Sequence, residues 1–180
     1  RYCLRPTTYS SVEAALLATA QTYRRTLWSD MEVRVEVWCE SDAIAGVLSK
    51  VTWQYDVPLM VIRGQSSDTF IHNAAEEISA VGRPTYVYYF GDWDPAGKCI
   101  YETVKRKLRS WTDDDADLHF ELMAVTPEQI EAWDLPTQPP KRHNLGDFEG
   151  GTVELEALPP DVLRGLVHEC IERHLDQREL

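Results

Sequence analysis

Apolar residues recur along this chain first in period two and then in period three to four. From 33 to 39 the stretch VRVEVWC alternates, with Val33, Val35, Val37 and Cys39 on one face, which predicts a strand closed by Glu40. Glu36 shares the opposite face with Trp38, where a carboxylate is costly unless it is paired or the strand is half exposed. The following DAIAGVLSKV is short, apolar and free of proline, and reads as the crossover helix of a parallel unit. Pro58 opens PLMVI, a second strand ending at Arg63-Gly64, and Ser66 or Ser67 can cap a helix through Ile71, Ala74, Ala75 and Ile78. Gly82 and Pro84 end that helix and lead into YVYYF, a third strand. The turn Gly91-Asp92-Trp93-Asp94-Pro95-Ala96-Gly97 then opens a Lys/Arg-rich helix with Ile100, Val104 and Leu108 at spacing four. Strand and helix alternate throughout this stretch, so the predicted class is α/β, a three-layer fold around a central, mostly parallel sheet.

Around that layer, 11–28 carries Val12, Ala15, Leu16, Tyr23 and Leu27 at helical spacing, which predicts a helix lying against the core. After the acidic turn 112–117 comes a strand, LHFELMAV, and then Thr126-Pro127-Glu128-Gln129. There Thr is placed to cap a helix, Pro to occupy its first position and Gln to complete a capping box. Prolines and glycines from 134 to 151 predict a long loop, and Pro159-Pro160 precede a last helix built on Leu163, Leu166, Val167, Cys170, Ile171 and Leu175. The expected division is a helical linker or N-terminal extension over 1–30 and one domain over 31–180 with a C-terminal loop and helix.

Composition narrows the function classes. Eighteen Lys and Arg against thirty Asp and Glu give a net charge of -12, so nucleic acid as a partner needs a local basic patch, a metal or a second subunit or domain. Cysteines 3, 39, 99 and 170 form no CxxC, which argues for a reduced chain without a disulfide framework or zinc site. The five histidines show no ligand spacing, and no apolar run approaches a membrane span. Trp28, Trp38, Trp53, Trp111 and Trp133 read as core or interface anchors. Arg1 in place of Met points to a processed chain or a piece of a longer one.

Ligands of parallel α/β sheets bind outside the carboxyl ends of the strands. Glu40 follows the first strand, and Asp92 and Asp94 follow the third, two residues apart. If those strands are neighbours, three carboxylates meet at one edge, and a cation or shared proton must relieve their repulsion. Oxygen-only ligands suit Mg²⁺. The competing reading is an Asx turn in which the two aspartates merely cap the next helix. Arg63, at a strand end, and Lys98, in the first turn of a helix, are candidate phosphate contacts. Arg63 can equally serve as a salt-bridge partner for the surplus carboxylates, and the basic run Lys105, Arg106, Lys107 and Arg109 can be a solvated helix face.

Glu40 after the first strand and Asp92-x-Asp94 after the third resemble a Toprim domain, the metal-binding α/β module of topoisomerases, primases and related nucleases. The fuller GDWDPAG, with Arg63-Gly64 before it, is similar to the DxDPxG form of the topoisomerase VI A subunit and the meiotic double-strand-break transesterase. Phage and bacterial proteins of that group also resemble the chain in VEVWCESDA, RGQSS, TPEQI and VELEAL, so the likeness covers roughly 30–175. Ser41 departs from the group, where many members carry Lys, and Trp93 fills the variable DxD position with a bulky ring.

The resemblance implies a Toprim-like Rossmannoid fold and Mg²⁺-dependent cleavage and rejoining of double-stranded DNA. Asp92 and Asp94 would hold Mg²⁺, and Glu40 would bind it or move a proton at the 3′ oxygen. The attacking tyrosine of such enzymes lies in a winged-helix domain preceding the Toprim module. Residues 1–30 offer no such domain, and Tyr2, Tyr9 and Tyr23 read as packing or surface residues, so the nucleophile is expected outside this chain. A homodimer, an ATPase partner subunit and a cytoplasmic or nucleoid-associated location follow from the same likeness. A Toprim nuclease or primase-like phosphotransfer protein, and a non-catalytic acidic interaction domain, are the alternatives.

Overall fold

The computed structural model describes residues 8–22, 27–28, 31–62, 68–139, 148 and 150–175. Ten elements carry the architecture: α1 (Val12–Thr22), β1 (Arg34–Cys39), α2 (Asp42–Thr52), β2 (Leu59–Val61), α3 (Asp68–Val81), β3 (Thr85–Phe90), α4 (Pro95–Trp111), β4 (Leu118–Ala124), α5 (Pro127–Ala132) and α6 (Pro160–Glu172). The four strands pair in parallel in the order β2-β1-β3-β4. Among the described residues, no helix is long and apolar enough to cross a membrane.

Alternation along the strands builds both helix layers. Val35, Val37 and Cys39 of β1, with Tyr88 and Phe90 of β3, face the buried residues of α2 and α6: Ile44, Leu48, Val51, Leu163, Val167, Cys170 and Ile171. Trp38, Val87 and Tyr89 point the other way, onto Ile71, Ala75 and Ile78 of α3 and Val104 and Leu108 of α4. The result is the three-layer α/β fold that the hydrophobic pattern predicts.

Glu36 sits on this second face, fully buried in a central strand. It is paired, as its position requires. Arg34 Nε donates to Oε1 at 2.7 Å and Trp38 Nε1 to Oε2 at 2.7 Å. The capping box before α5 is also present, with Gln129 N donating to Thr126 Oγ1 and Thr126 N to Gln129 Oε1. The proposed serine caps of α3 lie outside the described residues.

Two expectations fail. α1 spans Val12–Thr22, Tyr23 of the expected stripe lying outside the described residues, and Val12, Leu16 and Leu17 are 78%, 65% and 61% exposed, so these larger apolar side chains do not reach the core. Its half-shielded stripe consists of Ala14, Ala15 and Ala18, and a helix so rich in alanine and leucine has the propensity to form without an apolar face against a core. Trp53 and Trp133 are exposed rather than anchoring, because each is the C-cap residue at which the chain leaves α2 or α5. Trp28 and Trp38 are buried, and Trp28 Nε1 donates to the Tyr55 carbonyl at 2.6 Å.

The strand order determines where a site can lie. After β1 the chain moves outward to β2, then returns through α3 to place β3 on the other side of β1. The loops leaving β1 and β3 therefore diverge, opening a crevice at the carboxyl edge between the two neighbouring strands.

Candidate metal centre at the carboxyl edge

Cys39 lies opposite Phe90 in the β1–β3 register, so Glu40 and Gly91 are the next residues out on adjacent strands. The Glu40 amide donates to the Phe90 carbonyl at 2.9 Å, holding the two loops together at their root. Gly91 is required there: a Cβ on it would lie 2.6 Å from a Tyr89 ring carbon and 2.8 Å from Glu40 Oε2. Its amide donates to Ala124 O and its carbonyl accepts from Val125 N, both at 2.8 Å, so the end of β4 fixes the start of the acidic turn.

The turn itself is tied down along its length. Asp92 Oδ1 accepts from the Leu155 amide at 2.7 Å. Trp93 exchanges two backbone hydrogen bonds with Val153, at 2.8 and 2.9 Å. Asp94 is the N-cap of α4, its Oδ1 accepting from Gly97 N at 2.6 Å, with Pro95 in the first turn. Gly97 closes the motif, since a Cβ at that position would collide with the Asp92 carbonyl oxygen.

The electrostatics match this crowding. Glu40 is pushed up to about 7, first by burial and then by the charge of Asp92, with a smaller push from Asp94; the Tyr89 hydroxyl, 3.4 Å from Oε2, and the Asp92 amide act in the opposite direction. Asp92 is also raised, by burial foremost and by Glu156, Asp94 and Glu154, against the Leu155 amide that lowers it. Neutral Glu40 is thus the form that folding favours. Its contribution is fully present below the ordinary carboxylate range and is lost as pH rises through about 7. Glu40→Gln is therefore expected to stabilise the metal-free protein by about 1–2 kcal/mol at pH 8 and by much less at pH 5, read from urea midpoints. Equal effects at both pH values would contradict the assigned repulsion.

The aspartates play unequal parts. The capping reading holds for Asp94, and Asp92 spends one oxygen on Leu155. Among the described residues, no group of three or more His, Cys, Asp or Glu side chains is placed to hold a metal ion. What the edge does offer is two hard carboxylates, Glu40 and Asp92, repelling each other in a partly desolvated setting. That donor set fits Mg²⁺, which keeps several waters and commonly takes only one or two carboxylates, completing its shell with substrate phosphates.

Of the candidate phosphate contacts, Arg63 lies outside the described residues. Lys98 is exposed on the first turn of α4, with Nζ 6.0 Å from the centre of the Trp93 ring. The basic run behind it is largely engaged within the chain. Lys107 pairs with Asp68 at 2.5 Å, Lys105 lies over Tyr101, and Arg109 donates to Leu118 O. His168 and His174 serve packing, bonded to Tyr55 and Tyr88. Tyr9 is 52% exposed, a surface residue, whereas Tyr2 and Tyr23 lie outside the described residues.

Sequence reasoning undervalued the segment 152–157. It runs beside the acidic turn, supplies the Leu155 amide and brings Glu156 Oε1 within 2.6 Å of Ser41 Oγ. Its Thr152, Glu154 and Glu156, together with Asp94 and Gln138, line a cavity of about 360 Å³. The alternating VELEAL pattern was the available signal, but its partners are distant in sequence.

The sequence matches no known family pattern and no curated protein. Among solved structures it is similar to a small TOPRIM domain protein from Bacillus stearothermophilus, at 17% identity and a TM-score of 0.43 over 79% of this chain and 96% of that one. It is also similar to a de novo designed Rossmann fold protein, at 15% identity and a TM-score of 0.34 over 56% of this chain and 92% of that one. Both are distant likenesses of fold.

Proposed function

We propose that the carboxyl edge between β1 and β3 is a Mg²⁺ site serving phosphodiester chemistry on DNA. The observation that carries this reading is the adjacency of Glu40 and Asp92 at the point where the strand order reverses, in mutual repulsion that a cation would relieve. Glu40 and Asp92 would hold the ion directly, and Asp94, the N-cap of α4, would add its negative charge from beside them. Mg²⁺ in such a place supplies a positive charge opposite a phosphate on which negative charge accumulates.

The chain's own groups orient and steer. The Leu155 amide fixes Asp92, and Gly91 and Gly97 let the backbone pass close to Glu40 and under the turn. Glu40, pushed up to about 7 by burial and by Asp92, can hold or release a proton at its carboxylate. Lys98, beside the turn, is the proposed phosphate contact, together with Arg63. The attacking group, a tyrosine by the resemblance, is proposed to come from outside this chain, with a homodimer as the working form on double-stranded DNA.

With a net charge of -12, the protein should bind DNA only weakly unless Mg²⁺ offsets the acidic edge. Fluorescence anisotropy on a labelled duplex of about 20 base pairs at low salt is expected to show affinity rising with Mg²⁺. Lys98→Ala is expected to lower the salt slope by about one. Affinity indifferent to Mg²⁺, in a protein that binds the ion, would overturn the DNA assignment.

A further inference from the structure

The segment 152–157 is a strap across the carboxyl edge. Its apolar residues Val153 and Leu155 are buried in the core shared by α2 and α6, and its backbone exchanges hydrogen bonds with Gln138 on one side and Trp93 on the other. It touches both loops that carry the candidate ligands. Toward the β3 loop it gives the Leu155 amide to Asp92 Oδ1 at 2.7 Å. Toward the β1 loop it presents Glu156, whose Oε1 accepts from Ser41 Oγ at 2.6 Å, within the range of a charge-assisted bond. Ser41 immediately follows Glu40 and caps α2 by accepting from Ile44 N at 3.4 Å.

We propose that the Ser41–Glu156 hydrogen bond is a clasp that holds the strap on the edge and so positions the Asp92 carboxylate for the cation. Ser41 and Glu156 are positioning residues acting through the Leu155 amide. The inference rests on the Mg²⁺ reading given above. Its geometry follows from topology: Ser41 and Glu156 are 115 residues apart, and their bond closes a ring from Glu40 through Ser41, Glu156, Leu155 and Asp92 back to the β1–β3 pair. Without the clasp, the contacts that hold the strap among the described residues are core packing and the Trp93 and Gln138 ladders, and the Leu155 amide is held to Asp92 less firmly. Outer hydrogen bonds that orient a ligand commonly change metal affinity by about 10–100-fold.

The test uses Ser41→Ala, Glu156→Ala and Glu156→Gln with two readouts. Calorimetry with Mg²⁺ alone is expected to show binding weakened about 10-fold in Ser41→Ala and Glu156→Ala. Binding should be largely restored in Glu156→Gln, whose amide oxygen still accepts from Ser41. Hydrogen exchange of the Leu155 amide in the metal-free protein is expected to quicken in both alanine variants and not in Glu156→Gln. Glu156 is on the surface and caps no helix, so its variants keep the fold even if Ser41→Ala loosens α2. Glu156→Gln as weak as Glu156→Ala, with Ser41→Ala unaffected, would overturn the clasp and make Glu156 a charged contributor instead. Leu155 exchange unchanged in every variant would overturn it as well. If the native protein binds no Mg²⁺, the metal reading fails by itself, and the exchange measurement still decides whether the clasp holds the strap.

Discussion

Glu36→Ala is expected to cost about 3–5 kcal/mol of stability, the usual penalty for breaking a buried charge pair by removing one member. Glu36 is fully buried in β1, between β2 and β3. Removal leaves the indole N–H of Trp38, also fully buried, without its acceptor. It also leaves Arg34, largely shielded, with the exposed Glu77 at 3.2 Å as its one counter-charge among the described residues. Against a typical total of about 5–15 kcal/mol, such a loss brings a domain near its unfolding threshold. Glu36→Gln keeps an oxygen for Trp38 and turns an amide toward Arg34, so its cost should be smaller. Urea denaturation of the three proteins measures the order. A loss below about 1 kcal/mol for Glu36→Ala would mean that the pair contributes little more than a surface salt bridge.

This pairing shows what a single sequence discloses and what it withholds. The alternation of VRVEVWC places Glu36 beside Trp38 and demands a partner, but it does not say that the indole itself and Arg34, both two residues away on the same face, would supply the bonds. The α/β class, the strands and the helix starts were legible because each depends on local periodicity and capping chemistry. The adjacency of β1 and β3 was not, since strand order is decided by which helix layer each crossover joins. With that order known, Glu40 and Asp92 fall together of necessity.

The capping role of Asp94 was legible as one of two readings, and the bond to Gly97 bears it out. The strap was not legible in its effect, because Leu155 reaches Asp92 across 63 residues and Glu156 reaches Ser41 across 115. α1 misled for the opposite reason. Its periodic apolar residues satisfy the pattern for a buried helix while its larger side chains remain exposed.

The largest functional effect is expected from the double change Asp92→Asn and Asp94→Asn. Asparagine keeps the oxygen that accepts from Leu155 N and the one that caps α4 through Gly97 N, so both structural bonds can persist. What is lost is two negative charges, one of them at a carboxylate already raised by its neighbours. The metal-free fold should therefore be intact, while affinity for a hard cation falls by more than about 100-fold, since Mg²⁺ demands charged oxygen ligands. Mg²⁺ calorimetry at low ionic strength on the native protein and this variant is the most direct measurement. Saturable binding in the native protein, absent in a folded double variant, is the predicted result. Identical heats in the two proteins, or no binding by the native one, would contradict a metal centre at this edge and leave the acidic turn as the cap of α4.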